Sequence, residues 1–246
     1  MSSSPVASRV QRVRHEIKRR ELVLARVHTI SPHFRRLTFT GDDLADFVSA
    51  SFDDHLKVLL DADGPEPVRR DFTPRRFDAA ARELDIEFAV QHTGPVAQWA
   101  AQAQVGQRLT VAGPRGSFIV PTDFDWHLLV GDESALPAIH RRLDELPSTT
   151  RVSVVVQLND PADRRALASA ARLDLTWTAD ATQTRAAVRA LGLPPGEGYA
   201  WAAGEASEMA ALRRLLVEEK GIDRHAMRVA AYWKRGASAH HEPLED

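Results

Sequence analysis

The hydrophobic pattern of this 246-residue chain changes period near Pro121, and no single layer of structure accommodates both halves. Before that point the apolar residues alternate. Leu84, Ile86, Phe88 and Val90 share one side of 83–90, with Glu83, Asp85 and Glu87 on the other. Similar runs cover 22–27, 36–40, 55–60 and 108–112. Gly41-Asp-Asp, Asp63-Gly-Pro and Gly113-Pro-Arg-Gly116 supply turns between them. Short, half-buried strands with such punctuation predict an antiparallel barrel or sandwich. One helix is expected inside it, from Pro95 to Gln104, with Trp99 on its inner face.

After Pro121, strands and helices alternate. His127 to Val130 and the valine-rich 152–158 read as strands covered on both faces. Leu136, Ile139, Leu143 and Leu146 fall on one helical face. Asp160-Pro161 is a good N-cap and first-turn pair for a further helix. Strands at 173–177, 199–203 and 228–233, with helices near 182–191 and 207–220, complete an α/β pattern with a parallel sheet. The expected division is a β-barrel domain over 10–121 and an α/β domain over 122–238.

Composition removes several function classes. With no cysteine, the chain has no disulfide, thiolate metal site, Cys-ligated iron–sulfur cluster or cysteine nucleophile. A net charge of -2 and the lack of a recognition motif argue against nucleic acid, although residues 1–40 hold nine Lys or Arg against two Glu. No apolar run reaches the ~18 residues of a membrane span, and no secretory signal is evident at the N-terminus. A soluble, cytoplasmic monomer is the expectation.

Three stretches carry candidate chemistry. Arg69 to Asp78 sets four arginines around Phe72 and Thr73. Alternation predicts Arg70, Phe72 and Pro74 on one side and Asp71, Thr73 and Arg75 on the other. Such an edge suits a flat ligand with a phosphate tail; the alternative is an edge strand with solvated arginines. Next, Gly94-Pro95 opens a helix whose free N–H groups form a ready anion site. Finally, Val130 to Pro137 lies where a parallel strand meets a helix, the position at which α/β sheets bind ligands. It lacks the G-x-G-x-x-G pattern, and Asp132 and Glu133 would repel a bare phosphate unless they face a ribose. Ala203-Gly204-Glu205 repeats that position after a later strand. Tyr232 to Gly236 ends the fold with aromatic and cationic residues together.

In order, Asp53 to Lys57, Arg70 to Arg75, Gly94 to Ala100, Gly113 to Gly116, Gly131 to Ile139, Ala203 to Glu205 and Tyr232 to Gly236 resemble the siderophore-interacting protein family. These are flavin-dependent ferric-siderophore reductases related to ferredoxin-NADP reductases. The resemblance implies an FAD-binding Greek-key β-barrel followed by an NAD(P)H-binding-like α/β domain. It assigns the cofactors to Arg70, Phe72, Thr73, Arg75, His92, Gly94, Pro95, Val96, Ala97, Trp99, Asp132, Ser134, Ala135 and Trp233. Phe72 stands where the family usually has Tyr. Lys57, Lys234 and Arg235 become the cations expected to meet an anionic ferric siderophore. The implied reaction uses NADPH or NADH and needs neither a general base nor a resident metal; the alternatives are a flavin reductase exchanging electrons with ferredoxin or flavodoxin, and a non-catalytic ferric-siderophore-binding protein.

Overall fold

The computed structural model describes residues 9–91, 93–236 and 242–243. It divides into two compact units, one over Gln11–Val120 and the other from Pro121 onward together with the described residues 9 and 10.

The first unit is antiparallel. Its strands are β1 (Gln11–Arg14), β2 (Arg19–Ser31), β3 (Phe34–Thr40), β4 (Leu56–Leu60), β5 (Val68–Phe72), β6 (Pro74–Asp78), β7 (Glu83–Ala89), β8 (Arg108–Ala112) and β9 (Gly116–Ile119). β1 and β9 make a two-stranded ribbon, and the other seven form a sheet in the order β5-β4-β8-β2-β3-β7-β6. The two edge strands, β5 and β6, are joined by Thr73 alone, so the chain itself draws the sheet's edges together there. The interior is the predicted alternating set: Leu22, Leu24, Leu37, Phe39, Leu84, Ile86, Phe88, Leu109 and Val111 are buried. Helix α1 (Pro95–Gln102) lies against β3, β5 and β7.

One expectation for β7 fails. Asp85 and Glu87 are buried rather than solvated. Asp85 accepts from Thr38 Oγ1 at 2.6 Å and Arg76 Nε at 2.9 Å, and Glu87 accepts from Arg36 Nη2 at 2.7 Å. Long arginine side chains from the neighbouring strands cover these acids, an arrangement that alternation along one strand cannot reveal.

The second unit contains β10 (Trp126–Gly131), α2 (Leu136–Glu145), β11 (Arg151–Gln157), β12 (Arg172–Thr178), α3 (Ala181–Ala190), β13 (Gly198–Glu205), α4 (Ala206–Arg214) and β14 (Met227–Trp233). Its sheet order is β12-β11-β10-β13-β14, with a two-residue strand β15 (Glu242–Pro243) on the outer edge. β10 to β14 are parallel, and β15 is antiparallel to β14. The valine-rich β11 is covered as expected, with Val152, Val154, Val155 and Val156 all buried. The inward face of α2 is also as predicted: Leu136, Ile139, Leu143 and Leu146 are buried. The helix expected after Asp160 does not form. Asp160 accepts from Ala162 N at 2.8 Å, but only the 3-10 turn Pro161–Asp163 follows. The next residues have Leu167 as their one large apolar side chain, too little for an amphipathic helical face.

Candidate functional site

In the barrel unit the register decides which arginines are available. β4 and β5 pair Leu56 with Phe72, Lys57 with Asp71 and Val58 with Arg70. Arg70 and Phe72 therefore share one face, and Lys57 and Asp71 the other. Phe72 is half-buried, with its ring 4.5 Å from Phe88. Arg70 is half-buried and donates from Nη1 to the Arg69 carbonyl at 2.7 Å.

Beyond Thr73 the predicted alternation stops, because the β6–β7 pairing shifts register between Pro74 and Arg76. Thr73 and Arg75 are both buried, at 6% and 7% exposure. The Arg75 guanidinium faces Glu87, with Nε 3.8 Å from its carboxylate, and Arg76 pairs with Asp85 and Glu83. The four-arginine cluster expected from the sequence thus separates: two members neutralise acids of β7, while Arg69 and Arg70 do not. The Thr73 hydroxyl has no hydrogen-bond partner among the described residues.

Helix α1 starts at Gly94 with no side-chain cap and no acid in its first turn. A Cβ built on Gly94 would meet nothing within 4 Å, so the space before the helix is open. Pro95 has no N–H, which leaves the Val96 and Ala97 N–H groups without intrahelical acceptors. The Val96 side chain is buried and Ala97 half-buried. Trp99 packs inward as expected, stacked 6.5 Å from Phe39 and edge-on to Phe88 at 6.1 Å. Trp99 is half-buried and packs against the core of this unit. His92 lies outside the described residues.

Lys57 is exposed but not free. Its Nζ donates to Asp71 Oδ1 at 2.8 Å, so its charge is locally balanced. Just before β4 lies a buried polar cluster that includes Asp53 and Asp54 of the Asp53–Lys57 motif. Asp54 Oδ2 accepts from Ser49 Oγ at 2.9 Å, Ser51 N at 3.1 Å and Ser117 Oγ at 2.7 Å. Burial pushes the Asp54 carboxyl above the usual range, against the pull of those donors. The motif marks Asp53 and Asp54, while Ser49, Ser51 and Ser117 lie outside it and join them only in the fold.

In the α/β unit the two acid-bearing turns prove to be one structure. Asp132, at the end of β10, is buried and accepts four hydrogen bonds. Oδ1 takes Ser134 N at 2.9 Å and Ser134 Oγ at 2.5 Å; Oδ2 takes Glu205 N at 3.0 Å and Trp233 Nε1 at 2.8 Å. Burial raises its pKa, and the hydrogen bonds only partly oppose this. Glu205 Oε2 accepts from Ser207 N at 2.8 Å, Glu208 N at 3.2 Å and the Ser207 hydroxyl, while Oε1 accepts from Arg235 N at 3.2 Å. Burial pushes Glu205 up, but these donors outweigh it and bring the carboxyl below its ordinary range.

Asp132, Ser134 and Ala135, the residues expected beside a cofactor here, all belong to this one turn. Asp132 and Ser134 are bonded to each other. Ala135 is fully buried, where a Cβ on Gly131 would come within 2.4 Å of it. Trp233 differs: its ring nitrogen is tied to Asp132, yet it keeps 39% of its surface exposed. Lys234 and Arg235 are exposed beside it. Glu133 is bonded to Asn159 Nδ2 at 2.8 Å.

Comparison with known proteins places both units in one family. Residues 23–66 and 61–118 match the model of the siderophore-interacting FAD-binding domain, which names FAD as its cofactor. Residues 124–236 match the siderophore-interacting protein model. The chain is 37% identical over 245 residues to an NADPH-dependent ferric-chelate reductase of Escherichia coli, covering 91% of this chain and 96% of that protein. It is 33% identical over 251 residues to the ferric vibriobactin reductase ViuB of Vibrio cholerae, covering 91% and 93%. Among solved structures, a siderophore utilization protein from T. fusca superposes with a TM-score of 0.85 at 34% identity, covering 93% of this chain and 97% of that one. An antiparallel FAD-binding sheet followed by a parallel α/β unit, matched over nearly its whole length, makes this chain a member of the siderophore-interacting protein family.

Proposed function

We propose that this protein is an FAD-dependent ferric-siderophore reductase that draws electrons from NADPH. The observation carrying this reading is the near-complete, two-unit match to a ferric-chelate reductase. The barrel residues fit FAD on three structural counts. The start of α1 is uncapped and open at Gly94. Thr73 presents a nearly buried hydroxyl without a protein partner among the described residues, and Phe72 offers a half-buried ring. In this reading the Val96 and Ala97 N–H groups and Arg70 hold the pyrophosphate. Thr73 hydrogen-bonds the ring system, and Phe72 packs against it without the hydroxyl a tyrosine would add.

FAD, when bound, links a two-electron donor to one-electron acceptors. For each NADPH oxidised to NADP+ and a proton, two Fe(III) become two Fe(II). Fe(II) binds a hard-oxygen chelator far more weakly than Fe(III), so reduction releases the metal. The protein's part is binding, orientation and charge. Lys234 and Arg235 supply exposed positive charge for an anionic ferric siderophore. Lys57 contributes less than its sequence position implied, because Asp71 balances it. Iron release takes place in the cytoplasm, where NADPH is supplied.

The test is the visible spectrum of the FAD-loaded protein under anaerobic conditions. Flavin bands should bleach with NADPH and return when a ferric siderophore is added, with Fe(II) appearing at two per NADPH. Bleaching only with reduced ferredoxin would move the donor. Absence of flavin bands after reconstitution with FAD would overturn the assignment.

A further inference from the structure

The chain leaves β14 through Trp233, Lys234 and Arg235, and two buried acids hold that exit. The Trp233 indole donates from Nε1 to Asp132 Oδ2 at 2.8 Å, and the Arg235 backbone N–H donates to Glu205 Oε1 at 3.2 Å. Trp233 nevertheless keeps 39% of its surface in solvent, and it is the only exposed Phe, Tyr or Trp among the described residues. Because its N–H is given to a buried carboxylate, the surface it shows is ring carbon, in an orientation that the hydrogen bond fixes. Its neighbour Tyr232 faces the other side of the strand and meets Trp201 edge-on at 6.2 Å. The Lys234 and Arg235 side chains are exposed, and neither makes an ion pair or hydrogen bond among the described residues. An anchored, bare indole thus stands beside two cations that have no carboxylate partner.

We propose that Trp233 is a specificity-determining residue, a stacking platform that selects ferric chelates whose ligands are aromatic rings. A tris-catecholate of Fe(III) is a trianion with its rings displayed outward. Such a complex lays one ring on the fixed indole while Lys234 and Arg235 meet its charge. An aliphatic anionic chelate such as ferric citrate meets the same charge but has no ring to stack. The bond to Asp132 has already oriented the indole, so little further ordering is needed when a ring arrives. This rests on the reductase reading for an iron chelate as substrate; the exposed ring and its two cations do not depend on it.

The experiment is calorimetric titration of the FAD-loaded protein with two Ga(III) chelates, a hexadentate tris-catecholate and citrate. Ga(III) matches Fe(III) in charge and size but is not reduced by flavin, so binding is read apart from activity. Trp233→Phe and Trp233→Leu both lose the hydrogen bond to Asp132, and only Trp233→Phe keeps a ring. The tris-catecholate should bind about three- to tenfold more weakly to Trp233→Leu than to Trp233→Phe, with Ga(III) citrate binding both variants alike. Lys234→Ala and Arg235→Ala should weaken both chelates. Equal affinity of the two Trp233 variants for the tris-catecholate would overturn the proposal. So would an equal loss of citrate in Trp233→Leu, which would place the effect in the fold, or a tris-catecholate that does not bind the wild type. If the tris-catecholate binds through Trp233 but NADPH does not reduce the flavin, the reductase reading fails while the platform stands.

Discussion

His127, the second residue of β10, has both ring nitrogens buried and without a hydrogen-bond partner among the described residues, and its ring is edge-on to Phe124 at 5.7 Å. Burial, aided by the Arg142 charge, pushes its pKa down from the ordinary 6.5 to about 3. The unfolded chain therefore binds a proton near pH 6.5 that the folded chain refuses until about pH 3. The stability from this residue is fully present above pH 6.5 and is lost as pH falls, at about 1.4 kcal/mol per pH unit. Urea unfolding of wild type and His127→Phe at pH 7, 5.5 and 4.5 should show the wild type losing stability faster by roughly that slope. Parallel losses would mean that His127 takes up its proton in the fold. Trp233→Phe makes a second test. It keeps an aromatic ring but withdraws one donor from buried Asp132 Oδ2, at an expected loss of about 1–2 kcal/mol in urea unfolding. A change below about 0.5 kcal/mol would show that the indole hydrogen bond holds nothing in place. Neither role is legible in the sequence: His127 reads as one residue of an apolar strand, and Asp132 as one acid of a turn.

The β10–α2 and β13–α4 turns illustrate the limits of reading elements one at a time. Val130-Gly-Asp-Glu and Ala203-Gly-Glu look like two separate ligand positions. The parallel pairing of β10 with β13 brings them side by side, and Asp132 bonds across from one to the other. A Cβ on Gly204 would lie 2.7 Å from Asp132 Oδ2, an atom fixed by two donors and unable to give way. Gly204→Ala should therefore cost about 1–3 kcal/mol, seen as a lower urea midpoint with an unchanged slope. An unchanged midpoint would show that the carboxylate can move. In the barrel, the Arg69–Asp78 stretch was recognised from its composition. Its division at Thr73 follows from β5 and β6 being opposite edges of one sheet, which only strand order can supply.

Across the whole molecule, FAD is a ligand of the folded chain alone and must stabilise it by mass action. At a hundredfold excess over Kd the gain is about 2.7 kcal/mol, or roughly 5–10 °C in melting temperature for a chain of this size. Thermal melts with and without added FAD measure this directly, and an unmoved transition would contradict the cofactor assignment. No helix among the described residues is long and apolar enough to cross a membrane, as the hydropathy pattern predicts.

The sequence by itself determined the two architectures, because side-chain period is set locally by the backbone. Alternation in 83–90 requires a half-buried strand, and the spacing of Leu136, Ile139 and Leu143 requires a helical face. It also located the uncapped helix start at Gly94-Pro95, since glycine and proline act on their own backbone. Tertiary structure alone decided how each charge is spent. Arg75 turns to Glu87, Lys57 to Asp71, and Asp132 to Trp233 and the Glu205 N–H, partners 12 to 101 residues distant in sequence. A charged group's role follows from whatever the fold sets within about 4 Å of it, and that distance has no counterpart along the chain.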